Sequence, residues 1–293
     1  RIKEFYNSNE KMSVAILQPN IDPNAKWDFS KKKETIAYMD SLHSIAIKLN
    51  PDFIIFPETA LPSYLTLDGR VRNMIQTKVD SSKIPVLTGT VDRVISGNGD
   101  KQYFNSTMFL TPNHKYILYN KLHLVPFAEY IPLSGQFPSL KNLNFGQGNF
   151  SHGTEYTVFK WKNTKFSNLI CYESSIPKIV RKFIQNGANL ITIQTNDGWL
   201  GKSAGPYQHY DIAKIRAIEN RVPVIRSANT GISGLILANG ISINEQPVGK
   251  TAVFTVSVPI GEAGSFYSQY GDVFALICFV IFLLLGPLTC LRK

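Results

Sequence analysis

Apolar and polar positions alternate along the chain in short blocks. SVAILQ (13–18), DFIIF (52–56) and IPVLTGT (84–90) are near-continuous apolar runs, too short for helices, and predict strands buried on both faces. YFNSTMFL (103–110) and KYILY (115–119) flank Thr111, Pro112, Asn113 and His114, whose turn chemistry predicts a hairpin. YTVFKW (156–161) and KFSNLI (165–170) form a second pair around Asn163. LITIQ (190–194), VPVIRS (222–227), ISGLILA (232–238) and TAVFTV (251–256) complete the predicted strands.

Helical spacing appears between them. From about Ser30, a residue type that caps helices, Ile36, Leu42, Ile45, Ile47 and Leu49 predict a helix that Asn50-Pro51 ends. A second begins near Ser175, with Ile176, Ile179, Val180, Phe183 and Ile184 on one face and Gly187 just beyond it. A third runs over about 206–220. Buried strands alternating with helices, plus hairpins, predict an α/β layered sandwich with mixed sheets. The interval 133–153 has little periodicity yet contains Phe137, Leu140, Leu143, Phe145 and Phe150. Such an interval either tucks onto the core or forms a lid that meets membrane or an acyl chain.

The last apolar block is different in kind. VFALICFVIFLLLGPLTCL (273–291) carries no charge over 19 residues. A helix of that length spans about 30 Å of hydrocarbon, which predicts one C-terminal transmembrane helix, with a buried core helix as the alternative. Asp272 precedes it and Arg292-Lys293 follow, so the C-terminus is expected in the cytoplasm and the main domain outside. The chain starts at Arg1, not Met, and residues 1–11 are polar. They read as a linker from a missing N-terminal membrane region. The expected organisation is then a layered domain over 12–259, a connector over 260–271, and a membrane helix with its cytoplasmic end over 272–293.

Composition narrows the class. Apolar residues make up 44% of 293, which argues against a disordered chain. Thirty-one basic against 21 acidic residues give a net charge of +10. This is either a solvated basic surface or attraction to anionic lipid headgroups, worth about 1 kcal/mol per basic residue near the bilayer. No zinc-ligand spacing, Arg-rich helix or aromatic RNA-binding motif supports a nucleic-acid partner. Cys171, Cys278 and Cys290 offer neither a disulfide framework nor a CxxC pair.

Cys171 is the only cysteine outside the apolar tail. It follows an apolar run and precedes Ser174-Ser175, which places it at a strand-to-helix junction where a side chain is exposed beside backbone N–H groups. Read singly, it suits a small buried thiol equally well. A thiol with a pKa near 8.5 needs a base or a cation to become a good nucleophile. No histidine is marked for that role by its position, although His123, close to Lys121, is a weak candidate. Glu58 and Lys121 also sit at strand exits, where functional groups of open α/β sheets gather. Glu58 alone suits a turn or cap and Lys121 a solvated surface. Together with Cys171 they make a base, a cation and a nucleophile.

The motifs FPE, NKLHLVPFAEYIP, ICYE and TNDGWLGKSAGPYQH, followed by RAIENRVPVIRSANTGISG, occur in this order. In them the chain resembles the nitrilase, or carbon–nitrogen hydrolase, superfamily, and within it the apolipoprotein N-acyltransferase family. The resemblance runs from about Met12 to the end. It implies a nitrilase-like α-β-β-α sandwich, with Glu58 as general base, Lys121 as catalytic lysine and Cys171 as nucleophile. It further implies supporting roles for Glu129, Tyr172 and Glu173, a substrate-facing Trp27, and no cofactor or metal. Trp27 as a core aromatic and Glu173 as a structural acceptor remain open. Asn105, Asn196 and Asp197 read as turn and framework residues, and Arg216, Glu219 and Arg221 as surface or framework ion pairs. The implied reaction passes an acyl chain from a phospholipid, through a cysteine thioester, to the α-amine of a diacylglyceryl-apolipoprotein. The implied location is the bacterial inner membrane, with the catalytic domain on the periplasmic side. The apolar loops at 61–67 and 133–153 are then candidates for a lipid entrance. The alternatives are a membrane-tethered amidase or nitrilase with the same three groups, and a non-catalytic scaffold.

Overall fold

Strands that are apolar on both faces need cover on both sides, and the chain provides it in four layers. The computed structural model describes residues 10–23, 29–95, 97, 99–133, 136–137 and 149–290, with side chains through 284. Its strands are β1 (Lys11–Gln18), β2 (Phe53–Ile55), β3 (Val86–Ile95), β4 (Lys101–Thr111), β5 (Lys115–Asn120), β6 (Phe159–Trp161), β7 (Thr164–Ile170), β8 (Leu190–Thr195), β9 (Val224–Ala228), β10 (Ser233–Ile236), β11 (Ser242–Gln246) and β12 (Ala252–Pro259). They form two six-stranded sheets, in the orders β12-β1-β2-β3-β4-β5 and β11-β10-β9-β8-β7-β6. In each sheet three central strands run parallel, β1-β2-β3 in one and β7-β8-β9 in the other. Hairpins extend the edges, as at β3-β4-β5.

The helices are α1 (Lys32–Lys48), α2 (Gly69–Ser82), α3 (Pro177–Gln185), α4 (Gly205–Asn220), α5 (Phe266–Tyr270) and α6 (Val273–Cys290). The period-two alternation of β1 sorts its side chains between two cores. Ala15 and Leu17 pack with Met39 and Leu42 of α1 and Ile75 of α2. Val14 and Ile16 face the other sheet, in a cluster that includes Phe53, Phe109, Phe166 and the α3 residues Ile179, Val180 and Phe183. The order is therefore helix, sheet, sheet, helix. Buried polar side chains tie the sheets together close to the strand exits. Thr107 donates to Gln194 at 2.6 Å, and Asn168 donates to Thr107 at 2.8 Å. Gln194 in turn donates to the Phe56 carbonyl at 2.6 Å.

Several details differ from the expectation. Ser30 lies in a 3-10 turn rather than at a cap, and Ile45 of α1 and its C-cap Leu49 are exposed. In the 61–67 loop, Leu61 and Leu65 are buried, so only Tyr64 and Leu67 offer apolar surface there. Of the 133–153 interval, Leu133 and Phe137 are exposed; Leu140, Leu143 and Phe145 lie outside the described residues. Helix α6 exposes Phe274, Phe279, Phe282 and their apolar neighbours. Among the described residues no helix is long and apolar enough to cross a membrane, so the spanning helix expected over 273–291 is not shown as such.

Candidate active site

Three of the expected residues sit just beyond strand ends, two of them after parallel strands and one after β5. Glu58 follows β2 on a turn that lies directly on β3. Ala60 donates to the Gly89 carbonyl at 3.1 Å, and a β-carbon on Gly89 would stand 2.3 Å from the Thr59 nitrogen. Only glycine permits that approach. Lys121 follows β5 and is 1% exposed. Its backbone N–H donates to Asn105 at 2.9 Å, and its carbonyl accepts from Gly153 at 2.7 Å. Cys171 opens a 3-10 turn (Cys171–Ser175) after β7, with φ of +51°. This left-handed conformation is uncommon outside glycine and marks a sharp junction held by its surroundings.

Carboxylates organise the space between these groups. Glu129 accepts from the Lys121 ammonium at 2.8 Å, from the Asn105 amide at 3.0 Å and from the Val125 N–H at 2.8 Å. Asn105 also donates to Glu58 at 2.8 Å, and the Asn196 N–H donates to the other Glu58 oxygen at 2.9 Å. Glu173 is fully buried and joins two strand exits. It accepts from Ile170 N–H at 2.8 Å on the Cys171 side, and from Leu122 N–H and the Tyr119 hydroxyl, both at 2.7 Å, on the Lys121 side. Burial pushes its carboxyl up to about 6 against the pull of these donors.

The charges act on one another. Burial alone would lower the Lys121 ammonium, but Glu129, Glu58 and Cys171 push it above the usual lysine range. The Cys171 thiol is pushed up to about 12, first by burial and then by Glu58, against the opposing pull of Lys121. Sulfur therefore rests as a neutral thiol at neutral pH and needs a base as it attacks. A buried carboxylate beside a fixed ammonium and a half-buried thiol can perform nucleophilic substitution at a carbonyl. Among the described residues no group of three or more His, Cys, Asp or Glu could hold a metal ion.

The structure brings Glu58, Lys121, Glu129, Cys171 and Glu173 together. Tyr172 is next to the thiol with its side chain exposed, and Trp27 lies outside the described residues. His123 lends only its backbone N–H, to Glu173 at 3.2 Å. Asn105 is not a turn residue. It sits in β4 and bridges two carboxylates, and its only trace in the sequence is a polar Asn-Ser-Thr step inside an apolar strand. Asp197 has a framework role, pairing with fully buried Arg226 at 2.8 Å. Arg216 pairs with Glu219 at 3.2 Å as expected, whereas Arg221 takes the left-handed cap of α4.

The sequence matches the Carbon-nitrogen hydrolase family over residues 13–260. It is 36% identical over 283 residues to an apolipoprotein N-acyltransferase of Geobacter metallireducens, covering 96% of this chain and 54% of the relative. An apolipoprotein N-acyltransferase of Chlorobaculum tepidum is 34% identical over 311 residues, covering 98% of this chain and 58% of the relative. The chain thus spans little more than half the length of these relatives. Among solved structures, an amidase from Nesterenkonia sp. superposes with a TM-score of 0.65 at 17% identity, over 92% of this chain and 96% of the amidase. At that identity the likeness concerns the fold, and it is the same layered sandwich. On the family match across residues 13–260, the chain belongs to the carbon-nitrogen hydrolase family.

Proposed function

We propose that this chain carries the catalytic domain of an apolipoprotein N-acyltransferase. The name borne by relatives 34% and 36% identical over nearly the whole chain supports the choice of reaction. The observation that carries the chemistry is the hydrogen-bonded chain from Glu58 through Asn105 and Glu129 to Lys121, with Glu173 tying the Lys121 loop to the Cys171 turn.

The reaction has two halves. Cys171 sulfur attacks the ester carbonyl carbon of a phospholipid while Glu58 takes the thiol proton. The tetrahedral oxyanion accepts hydrogen bonds from Lys121 and from the backbone N–H of Tyr172. The C–O bond then breaks, Glu58 returns the proton to the departing alkoxide, and lysophospholipid leaves a thioester behind. In the second half the α-amine of a diacylglyceryl-cysteine attacks the thioester carbonyl. Glu58 removes a proton from the nitrogen and gives it to the departing sulfur, so an amide forms and the thiol is restored. Glu129 holds the Lys121 ammonium as a fixed charge on an otherwise flexible stem. Asn105 aims the Glu58 carboxylate, and Glu173 keeps the thiol turn in register with the Lys121 loop.

Both substrates are confined to a bilayer, and this gives the apolar C-terminal segment a purpose. The stretch 273–291 anchors the domain to the bacterial inner membrane, 260–271 connects the two, and the catalytic layers stand on the periplasmic side. Leu67, Leu133 and Phe137, all exposed, suit the lipid-facing entrance.

A tethered amidase would use the same three groups but take a small amide as its acyl donor and water as its acceptor. Incubation with phospholipid labelled in its acyl chain separates the two. Acyl transfer gives a hydroxylamine-sensitive label on Cys171 that is absent from Cys171→Ala and that moves to a diacylglyceryl-cysteinyl peptide on its addition. Label released only as free fatty acid would favour hydrolysis, and no labelled protein at all would defeat the proposal.

A further inference from the structure

A second polar cluster is buried against the turn that bears Cys171, and the steps above leave it unused. The Cys171 carbonyl accepts from the Ser174 hydroxyl at 2.9 Å. His209 Nε2 stands 3.1 Å from the same carbonyl oxygen and 2.8 Å from Ser174 Oγ. A carbonyl oxygen only accepts, so it is the form of His209 with a hydrogen on Nε2 that grips it at 3.1 Å. The imidazole is itself clamped. Its Nδ1 lies 2.8 Å from Asp197 Oδ1 and 3.0 Å from Arg226 Nη2. Arg226 donates to Asp197 at 2.8 Å and to the Ile232 carbonyl at 2.6 Å. A β-carbon at Gly231 would stand 2.0 Å from Asp197 Oδ2, so the carboxylate is seated directly against glycine backbone. Burial works to raise the Asp197 carboxyl, yet Arg226 and His209 hold it well below the ordinary carboxylate range.

The consequence lies in the geometry of one peptide. Across the trans bond between Cys171 and Tyr172, the carbonyl and the N–H point in opposite directions. A carbonyl held by two groups therefore fixes the direction of the Tyr172 N–H. The Cys171 φ of +51° makes the point sharper, because a left-handed non-glycine residue is strained and relaxes once its restraints go.

We infer that His209 and Ser174 are positioning residues that grip the Cys171 carbonyl and so aim the Tyr172 N–H at the oxyanion of the reacting carbonyl, with Asp197 and Arg226 holding His209 in place. This deepens the acyl-transfer reading and rests on it, since it needs the Tyr172 N–H to act as an oxyanion donor.

The test compares two reactions of the same sulfur in the detergent-solubilised full chain. Acylation by p-nitrophenyl butyrate forms an oxyanion and is read as a nitrophenolate burst. Alkylation by iodoacetamide displaces iodide at a saturated carbon and forms none. His209→Ala is expected to slow acylation about 10–100-fold while changing alkylation by less than about 3-fold, since losing one oxyanion donor costs up to 10²–10³. His209→Gln keeps an N–H that can reach the carbonyl and should recover part of the loss. Ser174→Ala should show the same selective effect at about 3–10-fold, and it carries the test if His209→Ala does not fold. Equal slowing of both reactions, or unchanged acylation in His209→Ala and Ser174→Ala, overturns the inference alone. Native protein that is alkylated at Cys171 but never acylated overturns the acyl-transfer chemistry and this inference with it.

Discussion

His43 is buried, and among the described residues neither of its ring nitrogens has a hydrogen-bond partner. Its ring meets Phe56 edge-on, with centroids 5.3 Å apart. Burial first, then the Lys78 charge, lowers its pKa to about 4 from 6.5, with Asp40 opposing. The folded state therefore keeps His43 neutral where the unfolded chain protonates it. The resulting stability is complete above pH 6.5 and is lost as pH falls toward 4. Between pH 7 and 4.5 the contribution lost is about 2 kcal/mol. His43→Leu should unfold in urea with that much less acid sensitivity than the native chain, and an identical pH dependence would refute the assignment. The same scale shows why some site residues were legible and others were not. Glu58, Lys121 and Cys171 each follow an apolar run, so the strand exit betrays them. Asn105 acts on a carboxylate 47 positions away and His209 on a carbonyl 38 positions away. No local pattern records such partnerships, and a polar residue within a strand or a helix reads as framework until the fold closes.

Elements carry the site through their packing. β3 runs beneath the turn that bears Glu58, and the two backbones touch at Gly89, where a β-carbon would come within 2.7 Å of the Glu58 Cα. Gly89→Ala must lift that turn. Overpacking of this kind costs about 1–3 kcal/mol. Because Glu58 moves with the turn, the loss should extend to chemistry: with Glu58 in the proposed role of base, acylation of Cys171 should fall by more than about 10-fold. Denaturant midpoints and the nitrophenyl ester burst read the two effects, and a variant unchanged in both would mean that the turn slides without cost. The buried strands were legible because two-sided burial writes continuous apolar runs into the sequence. β11 was not, because its residues are mostly exposed and leave no apolar signal. Helix α2 was missed for a related reason. Its buried face rests on Val71, Ile75 and Val79 among polar residues, and its start is fixed by the Asp68 side chain accepting from Val71 N–H at 3.2 Å.

At the scale of the whole molecule, the apolar helix α6 stands apart from both cores, since among the described residues neither cluster contains one beyond Ala263. Its described side chains from Phe274 to Leu284 include nine large exposed apolar groups. In water each would forgo about 1.5–3 kcal/mol of burial, a cost that a hydrocarbon phase removes. The connector ahead of it is docked rather than loose. Gly264 N–H donates to Asn220 at 3.0 Å, and Gln185 donates to the Ser268 carbonyl at 3.0 Å, so α5 is tied to the C-terminal ends of α3 and α4. The helix therefore leaves the domain from a fixed point. A chain ending at Gly271 should keep both sheets, with an unfolding midpoint within about 3 °C of native, because 1 kcal/mol shifts a domain of this size by about 2–4 °C. The same truncation should move the protein from the detergent-rich to the aqueous phase when a cloud-point detergent separates. On the proposed function it should also slow acylation of Cys171 by bilayer phospholipid far more than acylation by a soluble nitrophenyl ester, because only the proposed lipid donor requires the domain to be held at a membrane. Truncated protein that still partitions into detergent, or that handles both donors as the native chain does, would remove the anchoring role from α6.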